Sequence, residues 1–464
     1  MNSQALLTFV STILFMLVYT NIQASERPNI IYILADDLGY GDLGCYGQKI
    51  IKTPHLDAMA GEGMKFMQHY SGSTVCAPAR SCLLTGLHTG HTYMRGNGKN
   101  VSLREDPQDL VLPRVLKEAG YHTAMIGKSG LSCSSSAPSF PNRKGFDHFF
   151  GFISHTDAHH FYPPHLWRNG KKVIYAGNTL HEGPNYSSTE IIKETLSYLE
   201  ERSFEDKPFF LHVAFQLPHI SLRAPEEFKK QYRGKFPEAE NVKIDQHWSQ
   251  EKEPKVTYAA MVSYMDHNVG LILTKLKALN MDENTLVIFS SDNGAEKWGG
   301  ADPAYFNSNG KLRGLKRDLY EGGIRVPMIA RWPGKIKKSQ ISNHLSAFWD
   351  FLPTACEIAG IKAPITDGIS YLPALLQKKQ PEHDSLYWEF HQRGGKAAIR
   401  HKQWKLVLTN LFHGESKTEL FNLAKDLSEK VDLSSTHPEL VKKLKDKMRS
   451  QRVNNDIFKL TIPR

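Results

Sequence analysis

Residues 29–37, NIIYILADD, carry an uncharged apolar run from Ile30 to Ala35 straight into two adjacent carboxylates, Asp36 and Asp37. A continuous apolar run of this length reads as a strand buried on both faces, the kind found inside a parallel sheet layered by helices. Four more runs share that texture: HTAMIGK (122–128), FFLHVAFQLPH (209–219), TLVIFSSDN (285–293) and VPMIARWP (326–333). Helical patterns lie between and around them, at PHLDAMAGEGM (54–64), LPRVLKEAG (112–120), STEIIKETLSYLEER (188–202, with a Ser N-cap) and the long stretch 258–279. The alternation predicts an α/β fold with a large mixed, mostly parallel sheet sandwiched between helices. Past about residue 375 the pattern changes to paired strand-like segments around Gly394-Gly395, followed by a Lys-rich amphipathic helix. Residues 376–464 are therefore expected to form a small α+β C-terminal subdomain, with 25–375 as the main domain. Residues 233–255 are charged, aperiodic and punctuated by proline, and read as a long surface loop.

The bulk numbers narrow the class. A chain of 464 residues that is 40% hydrophobic fills a large core, so disordered and collagen-like readings are excluded. The formal net charge of +10 favours anionic partners. No basic stretch interleaved with aromatics points to nucleic acid, whereas an anionic polysaccharide fits. Residues 4–19 are apolar and are followed by a polar stretch in which Ala24 ends a small-residue cleavage site. Residues 1–24 thus read as a signal peptide of an exported, periplasmic or secreted protein, with no stable membrane insertion. Five scattered cysteines make neither a disulfide framework nor a CxxC zinc site, and the odd count raises the expectation that one has a chemical role.

Four of the candidate strands end in residues that packing does not require: Asp36-Asp37, Lys128, His219 and Asp292-Asn293. In open α/β sheets ligands sit beyond the carboxyl ends of strands, so these groups are candidates to converge. Each alone also fits ordinary turn chemistry. Three carboxylates and an amide, all oxygen donors, suit Ca²⁺ or Mg²⁺ rather than zinc or copper. Without a metal, that much clustered negative charge is costly. Cys76, in STVCAPARSCLLTG (73–86), precedes a helix expected to start near Pro78, with Arg80 one turn on. That describes an anion-binding nucleophile site, or a structural cysteine at a helix start. A thiolate is a poor ligand for a hard cation, and an oxygen in its place would fit.

The stretch CAPARSCLLTG resembles the signature C-x-P-x-R-x-x-L-x-T-G of type I, formylglycine-dependent sulfatases, in the alkaline phosphatase superfamily. NIIYILADDLGYGDLGCYG, SSDNGAEKWGG and GKLRGLKRDLYEGGIRVPMIARWPG are similar to further segments of that family, so the resemblance spans nearly the whole mature chain. It implies that a maturation enzyme oxidises Cys76 to formylglycine, whose hydrated aldehyde supplies an oxygen nucleophile. It also implies that Asp36, Asp37, Asp292 and Asn293 bind one Ca²⁺ together with the modified Cys76. Arg80, Lys128, His219 and Lys316 would surround the hydrate and the sulfate, with His219 as general acid. One departure stands out: GKSGLS (127–132) places Gly130 where the family pattern GKWHLG has histidine, and Ser129 where it has tryptophan.

The segment 155–170 concentrates His159, His160, Tyr162 and Trp167, which suit stacking on and hydrogen bonding to a sugar ring, or anchoring a loop. His91 and Arg95 follow the signature helix and are candidates for the same pocket. The sequence thus predicts a sulfatase acting on a sulfated carbohydrate. A phosphate or phosphonate monoester hydrolase of the same superfamily and a silent binder of sulfated glycans are the alternatives.

Overall fold

A computed structural model describes residues 27–98, 102–132, 134–238, 247–248 and 250–464. The expected signal segment, residues 1–24, lies outside the described residues. The main sheet has ten strands in the order β10-β2-β9-β8-β1-β7-β3-β4-β5-β6. They are β1 Asn29–Ala35, β2 Met64–Tyr70, β3 His122–Ser132, β4 His148–Ser154, β5 His165–Arg168, β6 Lys171–Ile174, β7 Phe209–Ala214, β8 Thr285–Ser291, β9 Met328–Arg331 and β10 Gln340–Ala347. β8, β1, β7, β3 and β4 are parallel neighbours, while β9 and β5 run antiparallel to the strands beside them.

The pleat of β1 explains why its sequence is apolar throughout. Ile31, Ile33 and Ala35 face one core with Ile191, Ile192, Leu199, Val262 and Met265, from helices Ser187–Arg202 and Pro254–Ala278. Ile30, Tyr32 and Leu34 face the other, with Leu83, Leu84, Leu116 and Leu352 from helices Cys76–Thr85, Leu112–Glu118 and Phe351–Ile358. A strand with a core on each side has no polar face to show.

Past residue 375 come β11 Leu386–Phe390, β12 Lys396–His401, β13 Trp404–Thr409 and β14 Lys417–Asn422, an antiparallel sheet in chain order, and then helix Pro438–Ser450. One face of this sheet packs Leu406, Leu408 and Leu420 on Leu444 and Met448 of that helix. The other face puts Trp388, Phe390 and Val407 against Tyr70, Val75, Cys82 and Trp349 of the main body. Trp388 Nε1 donates to the Ser71 carbonyl at 2.9 Å. The small sheet therefore closes over the segment that carries Cys76.

Several local expectations are corrected. The helix at Ser187 has Tyr186 in the cap position without a side-chain cap bond; Ser187 Oγ instead donates to Gln216, and Ser188 is inside the helix. The signature helix starts at Cys76 itself, two residues before Pro78. β3 continues past Lys128 to Ser132, and β7 stops at Ala214, short of His219.

Candidate active site

The parallel strands all discharge their chains at one sheet end, where the predicted site residues meet. Asp36, Asp37, Cys76, Arg80, Lys128, His219, Asp292, Asn293 and Lys316 are all buried there. Asp37 has φ of 69°, a left-handed turn immediately after the strand. That turn breaks the strand's alternation and lets consecutive carboxylates serve one site.

The hydrogen bonds define each group's orientation. Asp36 receives Lys128 Nζ on Oδ2, and Cys76 Sγ lies 3.2 Å from its Oδ1. Asp37 receives Lys316 Nζ at 2.7 Å on Oδ2 and the Asn293 amide at 2.8 Å on Oδ1. Arg80 donates Nε and Nη2 to Asp292 Oδ2 at 3.1 and 2.8 Å, and Nη1 to the Lys128 carbonyl at 2.8 Å. Three carboxylates thus face three side-chain cations. Lys128, Lys316 and Arg80 offset much of the clustered negative charge that gave a reason to expect a metal.

These residues nevertheless fit a cation. Asn293 Oδ1 is buried with no hydrogen-bond partner, and its amide nitrogen is committed to Asp37. His219 donates Nδ1–H to the Ile220 carbonyl, because a carbonyl can only accept, so in the neutral ring Nε2 carries a lone pair. That lone pair sits 3.4 Å from Asp37 Oδ2, another acceptor, and two facing acceptors need a cation or a proton between them. Donor atoms of Asp36, Asp37, Cys76 and His219 lie within 4.8 Å of one another. With Asn293 and Asp292 alongside, the donors are mostly carboxylate and amide oxygens, the set a hard cation takes.

The electrostatics bear on the nucleophile. Burial, and then the carboxylates of Asp292 and Asp36, push the Cys76 thiol well above its ordinary range against Lys128 and Lys316. An unmodified Cys76 is therefore a neutral thiol at neutral pH and a poor nucleophile. Burial and Asp36 push Asp292 up to about 7 despite Arg80. For Asp36, burial acts upward, but Lys128, His219 and Arg80 outweigh it and hold the carboxyl well below the usual range. Burial lowers His219 to about 4, with Asp37 acting the other way.

The candidate saccharide contacts divide. His159 stacks on His219 with ring centroids 4.6 Å apart and planes 7° apart, and its Nδ1 lies 3.1 Å from His247 Nε2. His160 meets His247 edge to face at 5.0 Å. Trp167 instead packs with His165 of β5 and Lys172 of the edge strand β6, and Tyr162 bridges to Leu180. His91 stacks on His88 and binds Asp367 at 2.8 Å. Arg95 is buried in an ion pair with Glu389 at 2.7 Å, tying the main body to β11. His91 and Arg95 are thus held by structural partners, because conformational order there comes from the small sheet and the Asp367 loop.

Sequence reasoning missed Trp248, His155 and Glu296. Trp248 lies within the segment read as a surface loop, yet it packs on His159 at 4.6 Å and His219 at 5.8 Å. Its signal was the pair His247-Trp248 inside an otherwise charged run. Glu296, buried, takes Arg317 and lies 3.8 Å from Lys316 Nζ.

The family model described as Sulfatase matches residues 28–361. A second, described as N-sulphoglucosamine sulphohydrolase, C-terminal, matches residues 315–454. N-acetylgalactosamine-6-sulfatase of Canis lupus familiaris is 32% identical over 391 residues, covering 79% of this chain and 69% of that protein. Arylsulfatase J of Mus musculus is 29% identical over 479 residues, covering 90% of this chain and 75% of that protein. The crystal structure of Ps i-CgsB in complex with k-i-k-neocarrahexaose superposes with a TM-score of 0.78 at 29% identity, over 94% of this chain and 95% of that one. A phosphonate monoester hydrolase of Agrobacterium radiobacter shares the fold, with a TM-score of 0.67 at 21% identity over 92% of this chain and 95% of that one. Matched over most of its length and carrying the buried site its own strands assemble, the chain belongs to the sulfatase family, enzymes that hydrolyse sulfuric esters on an alkaline phosphatase-like fold.

Proposed function

We propose that this sulfatase removes sulfate from a sulfated saccharide, with formylglycine made from Cys76 as nucleophile and one Ca²⁺ held by Asp36, Asp37, Asp292, Asn293 and residue 76. The observation that carries the reading is the burial of Cys76 against Asp36 in a ring of carboxylates that keeps its thiol protonated. Replacing sulfur by an aldehyde hydrate there gives an oxygen donor and a usable nucleophile. Bound at these oxygens, Ca²⁺ would supply fixed positive charge for the sulfuryl group.

The chain's own residues do the rest. A sulfate monoester brings one negative charge, and more develops on the ester oxygen as the S–O bond breaks. Lys128, Lys316 and Arg80 place buried cations beside it, where low dielectric strengthens their effect. Although burial opposes its charge, Asp37 and Glu296 keep Lys316 protonated. His219 is oriented through its Nδ1, leaving Nε2 to carry a proton to the departing alcohol; the negative charge of bound substrate raises its affinity for that proton. His159 and Trp248 form an aromatic wall next to it, suited to a sugar ring, with His160 linked to that wall through His247.

The relatives support the substrate class: one is named N-acetylgalactosamine-6-sulfatase, and Ps i-CgsB is seen in complex with k-i-k-neocarrahexaose. Residues 25–375 are proposed as the catalytic domain and 376–464 as the subdomain that closes over it, in a protein exported by residues 1–24. The test is desulfation of a panel of defined sulfated saccharides, beside aryl sulfate, phosphate and phosphonate esters, by protein whose residue 76 has been verified as the aldehyde. Release of sulfate from saccharides supports the proposal. Faster phosphonate turnover, or glycan binding without sulfate release, overturns it.

A further inference from the structure

His155 is a site residue to which the roles above assign nothing. It leaves the end of β4, whose register with β3 pairs Lys128 with Phe152 and Ser132 with Ser154. The chain beyond β4 therefore passes beside the end of β3. Near that end Gly130 of β3 has no side chain: its φ is 68°, and a Cβ there would lie 2.8 Å from Arg80 Cδ. The groups acting electrostatically on the His155 ring are Lys128, Asp36, His219 and Lys316, all members of the site.

Its protonated nitrogen can be assigned from its neighbours. The Ala77 backbone N–H, next to Cys76, donates to Asn97 Oδ1 at 3.2 Å. That fixes which end of the Asn97 amide accepts, so its nitrogen is the donor 3.3 Å from His155 Nε2. With Nε2 accepting, the neutral ring bears its hydrogen on Nδ1. His155 Nδ1 is buried and has no hydrogen-bond partner among the described residues. A buried N–H without an acceptor is costly, and the group this site admits, a sulfuryl anion, is rich in acceptors.

We propose that His155 is a substrate-binding residue whose Nδ1–H donates to a sulfuryl oxygen of the bound ester, held in that tautomer by Asn97. Asn97 is then a positioning residue that couples this donor to the turn carrying residue 76. The proposal rests on the sulfatase reading and adds a contact to it.

Three variants test it: His155→Ala, His155→Asn and His155→Gln. An Asn amide nitrogen falls near the place of Nδ1, whereas a Gln amide reaches the place of Nε2. The readouts are kcat/KM for sulfate release, inhibition by inorganic sulfate, and the thermal midpoint. Loss of a hydrogen bond to a charged group predicts that His155→Ala lowers kcat/KM and sulfate affinity by about 10- to 100-fold. His155→Asn is expected to restore most of both, and His155→Gln neither. Unchanged kcat/KM and sulfate affinity in His155→Ala, or rescue by Gln and not by Asn, would overturn the proposal. If the wild-type protein releases no sulfate from any ester, the sulfatase mechanism fails. Calorimetric binding of inorganic sulfate then still decides His155: equal affinity in wild type and His155→Ala would overturn it.

Discussion

Asn293 donates its amide to Asp37 Oδ1 at 2.8 Å, and by doing so fixes its own Oδ1 as a buried acceptor with no hydrogen-bond partner among the described residues. One side chain thereby orients a carboxylate and presents a second oxygen to the same space. Removing it should weaken cation binding without disturbing the sheet, since Asn293 follows β8 rather than pairing within it. Asn293→Ala is expected to bind Ca²⁺ at least about tenfold more weakly. The check is the rise of the thermal midpoint on adding Ca²⁺ to chelator-treated protein, which follows ligand concentration over Kd by linkage. An equal rise in wild type and variant would remove Asn293 from the ligand set.

Trp248 tests the substrate class separately from the chemistry. It meets the buried centre through ring contacts with His159 and His219. Trp248→Ala should raise KM for a sulfated saccharide by about 5- to 50-fold, the loss of one stacking contact worth about 1–2 kcal/mol. Turnover of a small aryl sulfate should change far less. Equal losses on both substrates would assign Trp248 to the support of His219 instead.

Lys405 of β13 is buried between Glu321 at 2.8 Å and Glu429 at 2.9 Å. Burial and then Glu321 push Glu429 up to about 7 against Lys405, while Lys405 and the arginines bring Glu321 down to about 2 despite burial. Lys405→Met leaves two buried carboxyls facing each other, and breaking a buried pair in this way costs about 3–5 kcal/mol. Urea unfolding checks this. A loss near zero would mean that this buried ion pair adds nothing to the docking of the small sheet.

His383 gives a pH prediction away from the metal site. Its Nε2 lies 2.7 Å from Asp350 Oδ1, and although burial opposes its charge, Asp350 raises its affinity for the proton above the ordinary value. The folded state thus binds this proton more tightly than the unfolded chain, whose histidine titrates at about 6.5. The contribution is fully present below that pH and is lost as pH rises through the folded value. His383→Gln, which keeps a donor without titrating, should flatten the fall in thermal midpoint over that window. An unchanged slope would assign it to other groups.

The core of the fold was legible because β1, β7 and β8 are covered on both faces and are built mostly of apolar residues. β10, QISNHLSA, and the short strands β5 and β6 were not, since half-exposed strands acquire their state from the neighbour they pair with. In the site, Asp36, Asp37, Asp292 and Asn293 announced themselves as polar residues at the ends of apolar runs. His155 and Trp248 did not, because their significance lies in contacts with residues distant in sequence: Asn97 for one, His159 and His219 for the other. Arg95 misled because its position after the signature helix gives no hint of Glu389, which lies on a different sheet.

The central claim is that the working group at residue 76 is an oxygen made from cysteine. The measurement that tests it most directly is the mass of the peptide spanning residue 76, taken on the same preparations in which sulfate release is assayed. The account predicts the aldehyde in active protein, activity proportional to the converted fraction, and none in Cys76→Ala. Full sulfate release by protein whose Cys76 is entirely unmodified would contradict it.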